Sequence, residues 1–214
     1  MVRVSYLNLH TLIPQRDVRK LIYAKLTRHE FFTVCVAHGR SSSFPVEFAD
    51  HCAENGYLEL LQWAIEKKCV HNSRIYYYAA RNGHLKLLQW FWEESSNIKR
   101  RDRNACTGAA QGGHLEILQW VKSLSSHEQI GWVSVVCLIA AEKGYLNILK
   151  WVEGQDYRIG PSVCFQAAKN GHLNILQWVD LFTEGTWDWN DCYNAAAENG
   201  HLEVVQWLRK NESS

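Results

Sequence analysis

Apolar and polar positions follow a pattern along this chain that returns six times. The last return reads Ala196-Ala197-Glu198-Asn199-Gly200-His201-Leu202-Glu203-Val204-Val205-Gln206-Trp207. Earlier ones run from Cys52 to Trp63, Ala79 to Trp90, Ala109 to Trp120, Ala140 to Trp151 and Ala167 to Trp178. Their glycines, Gly56, Gly83, Gly113, Gly144, Gly171 and Gly200, lie 27, 30, 31, 27 and 29 residues apart, and a tryptophan follows each by seven. A period of this size, with no insertion inside the unit, points to an array of stacked supersecondary units. Each copy reads as the end of one helix, a tight turn and the start of another. The small pair, such as Ala79-Ala80, lets two helices approach while keeping helix propensity high. The glycine suits a helix end that needs positive φ, and Asn55, Asn82, Asn170 and Asn199 before it suit the same turn. In the second helix the apolar residues fall at helical spacing: Leu202, Val205 and Leu208 on one side, widened by Val204 and Trp207. A stripe that broad belongs to a helix buried between neighbours. One hairpin cannot cover its apolar surface, but a stack can.

These residues resemble the ankyrin repeat, whose core is an Ala-Ala pair, two free residues, Gly-His-Leu-Glu and an aliphatic helix. The match recurs six times between Phe48 and Lys210. The Gln-Trp variant in the second helix is similar to repeats abundant in large DNA viruses of protists and found in some algae and oomycetes. The resemblance implies an all-α solenoid of stacked helix-turn-helix units over 47–214 and a role in protein binding. The family's Thr-Pro-Leu-His opening is missing and the periods are mostly shorter than 33. The β-hairpin fingers are therefore expected to be shortened or absent.

Residues 1–46 are not explained by the repeats. Val18, Leu21, Ile22 and Leu26 lie on one helical face, and Thr27 could cap a second helix bearing Phe31, Phe32, Val34, Cys35 and Val36. An N-terminal helical cap over the end of the solenoid is expected. The alternative is a degenerate F-box. Leu12-Ile13-Pro14, Leu21-Ile22, Leu26, Phe31 and Val34-Cys35 resemble that module, although its second helix is short here. It would make the chain an adaptor that recruits a bound protein to a ubiquitin ligase.

Composition narrows the function. Net charge is +1, which gives no electrostatic case for nucleic acid or an anionic membrane. No apolar run reaches the length of a membrane helix, and Met1–Tyr6 lacks a secretory signal. The 7 cysteines are odd in number and form no C-x-x-C pair. Cys106, Cys137 and Cys164 share a register, held by Tyr76 and Tyr193 elsewhere, that predicts small buried hydrophobes. An intracellular, cytoplasmic monomer is expected, in the host cytoplasm if the chain is viral.

Candidate chemistry is sparse. His84, His114, His172 and His201 share one register with Tyr57 and Tyr145. Stacked helices lie roughly 10 Å apart, whereas ligands of one metal lie about 2 Å from it. These side chains are expected to hydrogen-bond backbone across the turn. Gln111-Gly112-Gly113 is a repeat turn and no phosphate loop. No enzyme, cofactor or metal is expected. The tryptophans Trp63, Trp90, Trp120, Trp151, Trp178 and Trp207 are expected to form a core ladder. Lys99-Arg100-Arg101-Asp102-Arg103 reads as a solvated loop, or else as a contact for an acidic partner. Trp187, Trp189, Trp132 and Tyr157 either pack over helix ends or, as with Trp132 and Trp189, anchor a partner. The best partner-binding candidates lie two residues before each glycine: Glu54, Arg81, Gln111, Glu142, Lys169 and Glu198. They are polar in every copy and differ in sign, so together they can select a complementary surface.

Overall fold

A computed structural model describes residues 46–66, 71–95, 101–124, 132–155, 157–183 and 188–211. The expected cap and the F-box-like segment lie outside these residues, as do Lys99, Arg100 and Trp187. The described residues form twelve helices and no strand. They come as hairpins: α1 (Val46–Asn55) with α2 (Leu58–Glu66), α3 (Arg74–Arg81) with α4 (Leu85–Glu94), and α5 (Arg101–Gly112) with α6 (Leu115–Leu124). Then follow α7 (Val133–Lys143) with α8 (Leu146–Glu153), α9 (Pro161–Lys169) with α10 (Leu173–Thr183), and α11 (Trp189–Glu198) with α12 (Leu202–Asn211). The two helices of each hairpin pack on each other, and each first helix packs on the first helix of the next hairpin.

The turn between the helices follows from the repeated residues. Gly83 N donates to Ala80 O at 3.3 Å and His84 N to Ala79 O at 2.9 Å, the paired bonds of a Schellman end. The small pair therefore supplies both the close approach of the helices and the acceptors that close the first one. Asn82 adds a bond from its amide to Tyr78 O at 2.9 Å, and Asn170 and Asn199 do the same to Gln166 O and Ala195 O at 2.8 Å. The glycine takes φ between 70° and 80° in all six copies, a conformation that costs other residues a Cβ clash.

The core lies between the two helix rows. Second helices bury an aliphatic pair and a residue one turn on: Leu87, Leu88 and Phe91, or Ile148, Leu149 and Val152. First helices bury the small pair and the two residues one turn before it, such as Val163 and Cys164 ahead of Ala167 and Ala168. Cys52, Cys106, Cys137, Cys164 and Cys192 are free and buried. Burial raises the thiols of Cys106 and Cys164 to about 12 and that of Cys137 to about 11. They are neutral packing groups, as their register predicts. Tyr76, in the same register, is fully buried, and its hydroxyl donates to Phe91 O at 3.4 Å and Ser95 O at 3.3 Å.

The tryptophan ladder differs from expectation. All six are half-buried and pack against the core from its flank, and the aliphatic residues two and three positions earlier fill the centre. An indole is too large for the gap between helices that are brought together by alanines. It lies along the outer row, where successive hairpins meet. Trp120 meets Trp92 of the preceding hairpin edge-on at 5.2 Å, whereas Trp207 stacks on Trp189 of its own hairpin at 5.8 Å. Lys122 reaches over Trp151 and Tyr157 of the next hairpin, at 6.0 and 5.7 Å from the ring centres, and its ammonium bonds Gln155.

The first helices do not all approach equally. α3 and α5 have the most extensive contact of any helix pair among the described residues. A methyl group on Gly108 would overlap the carbonyl oxygen of Tyr77, and one on Gly112 that of Arg81. Two glycines one turn apart thus press the α5 backbone onto the α3 backbone.

Candidate partner-binding face

The shared histidine register turns out to join one hairpin to the next. The ring of His84 lies against Gly56, that of His172 against Gly144, and that of His201 against Gly171; Tyr145 covers Gly113 in the same way. A Cβ added at Gly56 would stand 2.6 Å from His84 Nδ1, and one at Gly144 would stand 2.8 Å from His172 Nδ1. His84 Nε2 bonds Glu54 O at 3.1 Å, His172 Nε2 bonds Glu142 O at 2.9 Å, and His201 Nε2 bonds Lys169 O at 2.9 Å. A carbonyl can only accept, so Nε2 carries the proton in each case. The expected bond to backbone is made, but to the preceding hairpin rather than across the histidine's own turn. It reaches back across the stack. His114 lies against Gly83 and sets Nδ1 3.3 Å from Glu116 Oε1. Gly200 has nothing within 4 Å of its added Cβ, because no hairpin follows it among the described residues.

The acceptors of those bonds are the backbone carbonyls of the candidate positions. Glu54, Arg81, Glu142, Lys169 and Glu198 hold exposed side chains, and Gln111 is half-buried. Glu142 pairs with Lys143 at 2.9 Å, an exposed contact that solvent weakens. Three of the six positions, Glu54, Glu142 and Lys169, are thus held at the backbone carbonyl while their side chains face solvent.

Two other candidates change place. Trp132 is only 6 % exposed and belongs to the core, and Trp189 is half-buried under its stack on Trp207. Both pack over helix ends, because an aromatic just ahead of a first helix falls against apolar surface. Neither offers a free anchor. The described part of the basic cluster is the first turn of α5, where Arg101 sits 4.3 Å over the Trp92 ring and donates to Trp92 O at 3.1 Å, while Arg103 is exposed.

The structure adds a feature that the sequence did not reveal. A groove of about 430 Å³ crosses α7, α9 and α11 on the first-helix side. Leu138, Phe165, Pro161 and Cys192 give it apolar surface, and Ser162, Gln166, Asp188 and Asp191 its polar edge. Phe165 is 38 % exposed. Asp188 caps α11 by accepting from Asp191 N at 3.0 Å. Cys192 is buried, and its thiol is pushed up to about 12 by desolvation and then by the two aspartates. It is a packing group and no nucleophile. Leu138 and Phe165 share one register, six residues before the glycine, which reads Asp50, Tyr77, Thr107, Leu138, Phe165 and Asn194. That variability was the available signal.

Among the described residues no group of His, Cys, Asp and Glu is arranged to hold a metal ion, and no helix is long and apolar enough to cross a membrane. No known family model matches the chain, and no curated protein does.

Proposed function

We propose that this chain is an ankyrin-type repeat protein that binds a partner protein without catalysis, on the face formed by its first helices. One observation carries the reading: the bonds from His84, His172 and His201 anchor the backbones of Glu54, Glu142 and Lys169 in the preceding hairpins, while the side chains there stay exposed. A display fixed in advance loses little conformational entropy on binding. The signs along the row, from Glu54 through Arg81 to Lys169 and Glu198, select by charge. Glycine turns, small-residue helix contacts and packing of each hairpin on the next support the ankyrin type. The buried free cysteines fit a reducing intracellular setting, and the chain acts as a monomer. Charge reversal by Arg81→Glu with Lys169→Glu should weaken capture of the native partner by about tenfold or more and leave the melting temperature unchanged. Undiminished capture would place binding elsewhere.

A further inference from the structure

The groove across α7, α9 and α11 is more than a continuation of the charged row. Its floor is apolar, and its rim carries Asp188 and Asp191 with no cation among the lining residues. Both carboxylates are exposed, so a partner's charge can reach them from solvent. Phe165 shows more than a third of its surface to that same space.

Resting on the protein-binding reading above, we propose that this groove takes a segment of a partner protein that presents one apolar side chain with an arginine or lysine beside it. The apolar side chain lies against Leu138 and Phe165. The cation faces Asp188 and Asp191, and Ser162 and Gln166 offer polar groups to the segment's backbone. An acidic segment is disfavoured by repulsion, and a purely apolar one gains nothing from the rim. An apolar contact at the centre supplies most of the affinity, and the rim charges supply choice and association rate.

The test is selection of a displayed random dodecapeptide library on the full chain, followed by titration of the enriched peptides. The expected result is enrichment of an apolar residue next to Arg or Lys. Affinity should fall about tenfold in Phe165→Ser and several-fold in Asp191→Asn. Phe165→Leu should retain binding, and Asp191→Lys should shift preference toward peptides with Glu in place of the cation. Melting temperatures near that of the parent in Phe165→Ser and Asp191→Asn keep these variants interpretable, since both side chains are exposed, while Asp191→Lys is expected to melt slightly lower because it sets a cation in the first turn of α11. Peptides that bind equally well to Phe165→Ser but are lost in Arg81→Glu with Lys169→Glu would overturn the groove and leave the protein-binding reading standing. Peptides without an apolar–cationic bias would also overturn the groove. Enrichment of nothing over a blank support, together with no loss of native partner in the charge-reversed variant, would sink both.

Discussion

The contact of α3 with α5 and the groove between α9 and α11 use one scaffold in opposite ways. At the first, Gly108 and Gly112 let two backbones touch, and no room remains for a side chain between them. At the second, the positions equivalent to those glycines are Gln166 in α9 with Asn170 at its C-cap, and Ala195 in α11 with Asn199 at its C-cap. Beside these helices lies an open space of about 430 Å³, lined by Leu138 and Phe165. The repeat fixes the hairpin and the turn in both places, and Gly108 and Gly112 tighten the contact at the first.

The largest effect that would break this comparison is at the closed contact. Gly108→Val should lower stability by about 3 kcal/mol in urea unfolding, because its side chain meets a fixed backbone carbonyl. A loss below 1 kcal/mol would mean that α3 and α5 separate freely. Next come the turns. Gly144 and Gly200 have nearly the same φ, 80° and 76°, but only Gly144 is covered by a ring. Gly200→Ala should cost about 1 kcal/mol, the conformational penalty alone. Gly144→Ala should cost roughly twice that, as His172 must move as well. Removing the ring with His172→Ala should bring the two substitutions level, and a double-mutant cycle reads the difference.

A smaller effect separates floor from rim. Cys106 beside the closed contact and Cys192 under the groove both have thiols raised to about 12 from 9.0. A raised value favours the neutral thiol in the folded state. The associated stability is complete below pH 9 and is lost as pH climbs toward 12. Thermal unfolding should show a falling midpoint over that window, less steep in Cys192→Ala. Both thiols should resist iodoacetamide at pH 8 in the native protein, and rapid labelling of Cys192 alone would show the groove open to its floor. Smallest of all, Phe165→Ser should change stability by within about 0.5 kcal/mol, since the ring is already partly in water. A larger loss would make Phe165 a core residue and remove the groove's purpose.

Much of this was legible in the residues. The six glycines, the small pairs, the asparagines and the cysteine register each took the conformation or burial that their chemistry implies, because a Schellman end and a close helix contact are local matters. The candidate row at Glu54, Arg81, Glu142, Lys169 and Glu198 is exposed for the same reason: it sits one step before a solvent-facing turn. The tryptophans and Trp132 were harder to place. Helical spacing says which residues share a face, but not how wide the gap opposite that face will be.

By itself, then, the sequence determined the hairpin, its turn and the number of times it recurs, since these depend on contacts within about a dozen residues. Only the tertiary structure decided that each histidine reaches back to the preceding hairpin, that Gly108 and Gly112 close one contact, and that Leu138 and Phe165 line an open one. Those outcomes depend on how far one helix stands from the next. That distance is set jointly by side chains some thirty residues apart, and no window of the chain contains both partners.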